Sequence, residues 1–90
     1  MSTIHISHQF LPLVRSSLNF RKMLFSLKLS NHRARLRVFE KKYRMTTNRF
    51  CKEFQAGRLQ DLQDFIEWEY LAESCEGLRN ELQQLKRIKL

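Results

Sequence analysis

The side chains able to do chemistry are few and poorly spaced for it. His5 and His8 form an H-x-x-H pair, His32 stands alone, and Cys51 and Cys75 lie 24 residues apart with no C-x-x-C pair. A zinc site needs cysteines or carboxylates to complete such a histidine pair, and none lies near these two, which read as surface imidazoles. All three histidines are remote from both cysteines and from the run of acids, so no Cys–His or Ser–His pair is set up to activate a nucleophile. Asp61, Asp64 and Glu67 recur every three residues, a spacing that would suit Mg²⁺. A helix that begins with acid at the positive end of its dipole explains them more simply. With two glycines in the chain there is no Gly-rich phosphate loop. The expectation is a non-enzymatic protein with no metal, no cofactor and no small-molecule substrate.

Binding chemistry is better represented. The net charge is +8, and it is unevenly spread: the first 39 residues hold seven Arg or Lys and no acid, whereas residues 40–90 hold ten bases against nine acids. Between Asp61 and Glu81 there are seven acids and one base, Arg79, before the chain turns basic again at Lys86, Arg87 and Lys89. At ~100° per residue, Arg33, Arg37, Lys41 and Arg44 gather within about an 80° arc of one helix. Four cations on one face suit phosphates, although a run of this kind is also the ordinary solvated side of a helix.

The elements that must position these groups are helical. One proline and two glycines among 90 residues are too few for the turns of a sandwich or barrel. No apolar run approaches the ~20 residues of a membrane span. The expected fold is all-α, with two short helices followed by one long amphipathic helix. Ser30 or Asn31 is placed to cap the first helix, whose Leu36, Phe39 and Tyr43 share one side. Thr46 or Thr47 is placed to cap the second, which turns Phe50, Cys51 and Phe54 toward the same core. Gly57 stops it, because a left-handed terminal residue is tolerated best without a Cβ. Asp61 or Asp64 caps the third helix, expected over Asp61 to Ile88. Its apolar positions Trp68, Leu71, Cys75, Leu78, Leu82 and Leu85 alternate steps of three and four. Such a helix is roughly 40 Å long at ~1.5 Å per residue, more than a small domain covers, so part of this stripe is expected to meet a partner chain. Both cysteines fall on buried stripes and read as reduced core thiols.

Residues 1–30 form a basic extension, and residues 31–90 the helical domain. Within the extension, Phe25-Ser26-Leu27-Lys28-Leu29 alternates like a half-buried strand, while Leu24 and Leu27 fit a helix equally well, the preferred reading. Three roles remain open for the whole segment: a transit peptide, rich in Arg and Ser and free of acid; an arm that contacts DNA; or, favoured, a poorly ordered extension with Met23 as an alternative start.

Taken together, Phe39-Glu40-Lys41-Lys42-Tyr43-Arg44-Met45-Thr46-Thr47, Phe50, Phe54-Gln55-Ala56-Gly57-Arg58-Leu59, Asp61 and Asp64-Phe65-Ile66-Glu67-Trp68 carry a pattern. It resembles a family of small helical prokaryotic proteins, common in cyanobacteria and archaea, that look like antitoxins of toxin–antitoxin pairs. The resemblance covers residues 36–72. Arg44 stands where that pattern has glycine, at a position where φ should be positive, at a cost of about 1 kcal/mol. Arg49 stands where a capping-box Glu would pair with Thr46. Arg58 and Gln60 replace the usual Glu and Gly of the A-G-E-L-G turn.

The resemblance implies a cytoplasmic antitoxin whose partner is a cognate toxin. In this reading the acidic and aromatic side of the third helix covers a basic toxin surface through Asp61, Asp64, Phe65, Glu67, Trp68, Leu71, Leu78 and Leu82. Carboxylates stand in for substrate phosphates, and leucines supply contact area. Trp68 has two roles open to it, a core ring packed on Phe39, Tyr43 and Phe54 or an interface anchor. The alternative is a small nucleic-acid-binding protein, with operator DNA as a partner, using Arg33, Arg37, Lys41 and Arg44. A homodimer through the leucine stripe is the third reading, weakly served by its flanking charges. A membrane partner is not expected.

Overall fold

Three α-helices follow one another among the described residues, 7–89, of the computed structural model. A 3₁₀ turn at His8–Phe10 leads into α1 (Leu11–Tyr43), then come α2 (Thr47–Gln55) and α3 (Gln63–Arg87). The chain is all-α, but its order of lengths differs from the expected two short helices and one long. α1 spans 33 residues, α2 nine and α3 25. Residues 11–30, expected to hold little order, form the N-terminal part of α1, 20 of its 33 residues. Residues 1–6, which include His5, lie outside the described residues.

The reason for the long first helix is in its spelling. Pro12 sits in the first turn, where its missing N–H costs nothing. From there to Gly57 the chain has neither glycine nor proline. Leu11, Val14, Leu18, Phe25, Leu29, Leu36, Phe39 and Tyr43 fall on one side at helical spacing, so Ser30 and Asn31 are carried through as interior residues rather than used as caps. Packing of a continuous stripe outweighs the fraction of a kcal/mol by which such residues disfavour a helix interior.

α1 ends at Arg44, in the left-handed region at φ 53° and ψ 47°, with its N–H bonded to the Glu40 carbonyl. The positive φ expected at this position is therefore real, and an arginine bears it. Thr46 caps α2 by accepting from the Arg49 N–H at 3.2 Å. A carboxylate from α1 serves the next residue along rather than the Thr46 N–H that a capping-box Glu would take: Glu40 accepts from the Thr47 N–H at 2.8 Å and the Thr47 hydroxyl at 2.9 Å. Gly57, at φ 73°, terminates α2 as anticipated. Neither Asp61 nor Asp64 caps α3; Leu62 occupies that position without a side-chain bond, and Asp64 lies in the first turn.

α3 folds back antiparallel along α1, with α2 closing the end where they are joined. Trp68 fills this end and is fully buried, as is Phe50. Their rings stack 4.0 Å apart at an interplanar angle of 2°. Phe39 stacks on Trp68 at 5.6 Å, Tyr43 at 5.9 Å, and Phe65 lies 6.4 Å away. Phe54 packs on Phe50 and Phe65. The Trp68 indole N–H donates to the Thr47 hydroxyl at 3.1 Å, so its one polar atom is satisfied. A second apolar cluster, Leu29, Cys75, Leu78 and Leu82 with Phe25, zips the two long helices together, and Leu36 packs against both clusters. Thus the apolar stripe of α3 packs on α1 of its own chain from Trp68 to Leu82, and Leu85 beyond it is also buried. The stripe was expected to exceed what the chain could cover because the helix opposite it was taken to be short.

The molecule measures 55 × 24 × 17 Å with a radius of gyration of 17.8 Å, against about 12 Å for a compact domain of this length. It is a rod two helices thick. Removing Trp68 leaves an aromatic-lined cavity at its one broad end, and Trp68→Ala should lose about 3–5 kcal/mol, enough to unfold much of a small domain. Leu13→Ala, near the free end of α1, should change stability by no more than about 0.5 kcal/mol. Urea denaturation followed by circular dichroism separates the two outcomes.

Candidate functional site

The side chains singled out on α3 fall into three groups. Phe65, Trp68, Leu71, Leu78 and Leu82 are buried between the helices. Asp64 and Glu67 bind across to α1. The Asp64 carboxylate accepts from Lys42 at 2.7 Å and from the Tyr43 hydroxyl at 2.6 Å, and Arg35 donates to Glu67 at 2.8 Å. Asp61 alone faces solvent, on the connection before α3. Trp68 therefore occupies the core position among Phe39 and Tyr43, with Phe50 in van der Waals contact where Phe54 was expected.

The exposed side of α3 is a different strip. Ile66 and Tyr70 are 56% and 62% exposed, and Glu73, Glu76 and Glu81 are exposed along the same helix. On α1 the exposure is greater. Leu13, Phe20, Met23, Leu24, Leu27 and Val38 supply six of the ten exposed large apolar side chains among the described residues, and Phe10 adds a seventh just before the helix. Counting residue for residue from the His32–Ser74 hydrogen bond, Arg87, the last helical residue of α3, falls opposite Asn19. The first two turns of α1 thus project past the end of the hairpin. There Leu11, Val14 and Leu18 continue the side that α3 covers further along, while Leu13, Phe20, Leu24 and Leu27 lie on the opposite side. This double apolar pattern was readable from the periodicity of residues 11–28, once that segment is taken as helix.

The four cations Arg33, Arg37, Lys41 and Arg44 do share one flank of α1. They divide into two neighbourhoods that meet at Arg37. Arg37, Lys41 and Arg44 surround the shallow surface beside Glu40 and Thr46 at the closed end. Arg33 and Arg37 instead face Arg79 and Lys86 of α3 across a groove of about 520 Å³. Ser26, Ser30, Leu29 and Leu82 contribute to the same groove, which contains no carboxylate. Arg79 and Lys86 carry no signal of their own in the sequence; only the antiparallel packing of α3 on α1 brings them into one groove with the two arginines.

Both cysteines are free. Burial, reinforced by Glu69, Glu73 and Glu76, pushes the Cys51 thiol up, and burial does the same to Cys75 against the opposing field of Arg33 and Arg79. Each is held as a neutral thiol, which makes it a poor nucleophile. Among the described residues no three His, Cys, Asp or Glu side chains converge as metal ligands. Nor is any described helix long and apolar enough to cross a membrane.

Hydrogen bonds from Lys42 and then Tyr43 hold the Asp64 carboxyl below the usual carboxylate range. A depressed folded-state pKa contributes stability that is present above the unfolded value, about 3.9, and is lost as pH falls through the folded one. Asp64→Asn should therefore lower the melting temperature near neutrality, and the gap from the parent chain should close as pH falls well below 4. Melting curves across that range check it. Comparison with known proteins finds no family model, no curated protein and no solved structure that matches this chain.

Proposed function

We propose that the chain is a non-enzymatic protein-interaction module, of the antitoxin kind that its motif resemblance implies, whose partner protein closes over the N-terminal half of α1. The observation that carries this reading is the apolar surface of residues 10–27, exposed on the outer side of α1 and joined in the first two turns by Leu11, Val14 and Leu18, which are half-buried on the inner side. A helix that is apolar on both sides belongs inside an assembly. One lying on a lipid surface keeps a charged side opposite its apolar one, whereas a protein groove can both take the place of α3 over Leu11, Val14 and Leu18 and cover the outer side.

Charge narrows the partner further. Between Leu11 and Phe39 the chain has seven bases and no acid, so two copies of this segment laid together would set like charges against each other. A groove rimmed with acid suits it. Toxin contact is thereby moved from the aromatic side of α3, committed to the core, to α1; Asp61 and the exposed glutamates of α3 remain open to a basic neighbour.

Co-expression with the product of the adjacent open reading frame tests the reading. The parent chain should co-purify with that product, Phe20→Asp with Leu24→Asp should abolish co-purification, and Ile66→Asp on α3 should not. All three should retain parental helicity. Co-purification insensitive to the α1 pair would overturn the assigned surface. Dimers of the isolated chain that the α1 pair dissociates would assign the segment to a second copy, and binding of anionic vesicles by the same residues would assign it to lipid.

A further inference from the structure

The groove between α1 and α3 is independent of that partner surface. Four cations line it, Arg33 and Arg37 from one wall and Arg79 and Lys86 from the other, with the hydroxyls of Ser26 and Ser30 among them. All four cations are exposed. The three ion pairs formed among the described residues, Arg35–Glu67, Lys42–Asp64 and Arg58–Glu53, all use other bases. Like charges that face each other across a cleft repel, and nothing in the hairpin requires them there; the same α3 carries glutamates at 69, 73, 76 and 81 that would have neutralised the wall if placed one face round. Three carboxylates, Glu40, Glu73 and Glu76, lie in the adjoining depression, which Arg33, Arg37 and Arg79 also line.

We propose that this groove binds a compact oligophosphate, a chain of phosphates carrying three or four negative charges. Guanidinium groups grip phosphate oxygens with paired N–H donors, and an ammonium adds a point charge. The two serine hydroxyls supply further donors. In the register set by the His32–Ser74 bond, Arg79 lies level with Leu27 and Lys86 with Phe20, so the four side chains enter the groove from backbone positions spread over about 25 Å of helix rise, an arrangement that a chain of phosphates matches better than a single one. Two features separate this ligand from a nucleic acid. No aromatic ring lines the groove, so there is no platform on which bases could stack. Cations also come from both walls, which closes around a short anion, whereas a single ridge of cations follows a long backbone.

The test uses the full chain and inorganic tripolyphosphate. The ligand should raise the melting temperature, since it binds the folded state alone, and its affinity should fall as salt is added. Arg33→Gln and Arg79→Gln, one from each wall, should each weaken binding about tenfold or more without loss of helicity. Arg21→Gln with Lys28→Gln, on the other side of α1, removes as much charge or more and should leave affinity within about twofold, the scale of screened long-range effects. Equal weakening by both sets would reduce the interaction to net charge and overturn the site. So would an unchanged melting temperature, or tight binding of a short single-stranded oligonucleotide in the absence of tripolyphosphate affinity.

Discussion

Everything in this molecule hangs from one indole. Trp68 lies against Phe39, Tyr43 and Phe65 and stacks flat on Phe50, so a single side chain touches all three helices. Burying it removes roughly 150–250 Å² from water, on the order of 4–6 kcal/mol at ~25 cal/mol per Å². Its N–H fixes the Thr47 hydroxyl, and that hydroxyl in turn donates to Glu40. The apolar contact supplies most of the energy. The polar chain behind it sets the angle at which α2 leaves the end of α1, because Thr47 is the first residue of α2 and Glu40 lies in the last turn of α1.

Beyond that end the helices are held by a thinner seam. Leu29 meets Cys75, Leu78 and Leu82, and the ion pairs that flank the aromatic end, Arg35–Glu67 and Lys42–Asp64, are partly exposed. Exposed pairs of this kind are each worth little, so they govern register more than stability. Arg35 also lies over the Phe39 ring at 4.8 Å, and its stem covers an edge of the core that water would otherwise reach. The register they set has a second effect, since it is what brings Arg79 and Lys86 into the same groove as Arg33 and Arg37.

Local chemistry was well written in the residues. Gly57 and Arg44 both adopt the positive φ that their positions required, Thr46 caps α2, and the three-four spacing from Trp68 to Leu85 marks the buried face of α3 without error. What could not be read was which surface answers each stripe. The spacing of an apolar row says that it is covered, and nothing about whether its own chain or another does so. Ser30 and Asn31, good caps in isolation, suggested a helix start in the middle of α1, and a short α1 left half of α3 without company. Correcting that one boundary moves the uncovered surface from α3 to α1. The basic groove was hidden for a related reason: two of its four cations are distant in sequence and meet the others only through the fold.

The projecting end of α1 is continuous with turns anchored deep in the hairpin. Starting a helix is its unfavourable step, whereas lengthening one costs little, so residues 11–18 extend a helix already nucleated by the packing of Leu29 and Phe39. A protein that grips them meets a rod already shaped. Less freedom is then lost on association than if a slack peptide had to be wound up, and the grip of even a small surface is correspondingly firmer.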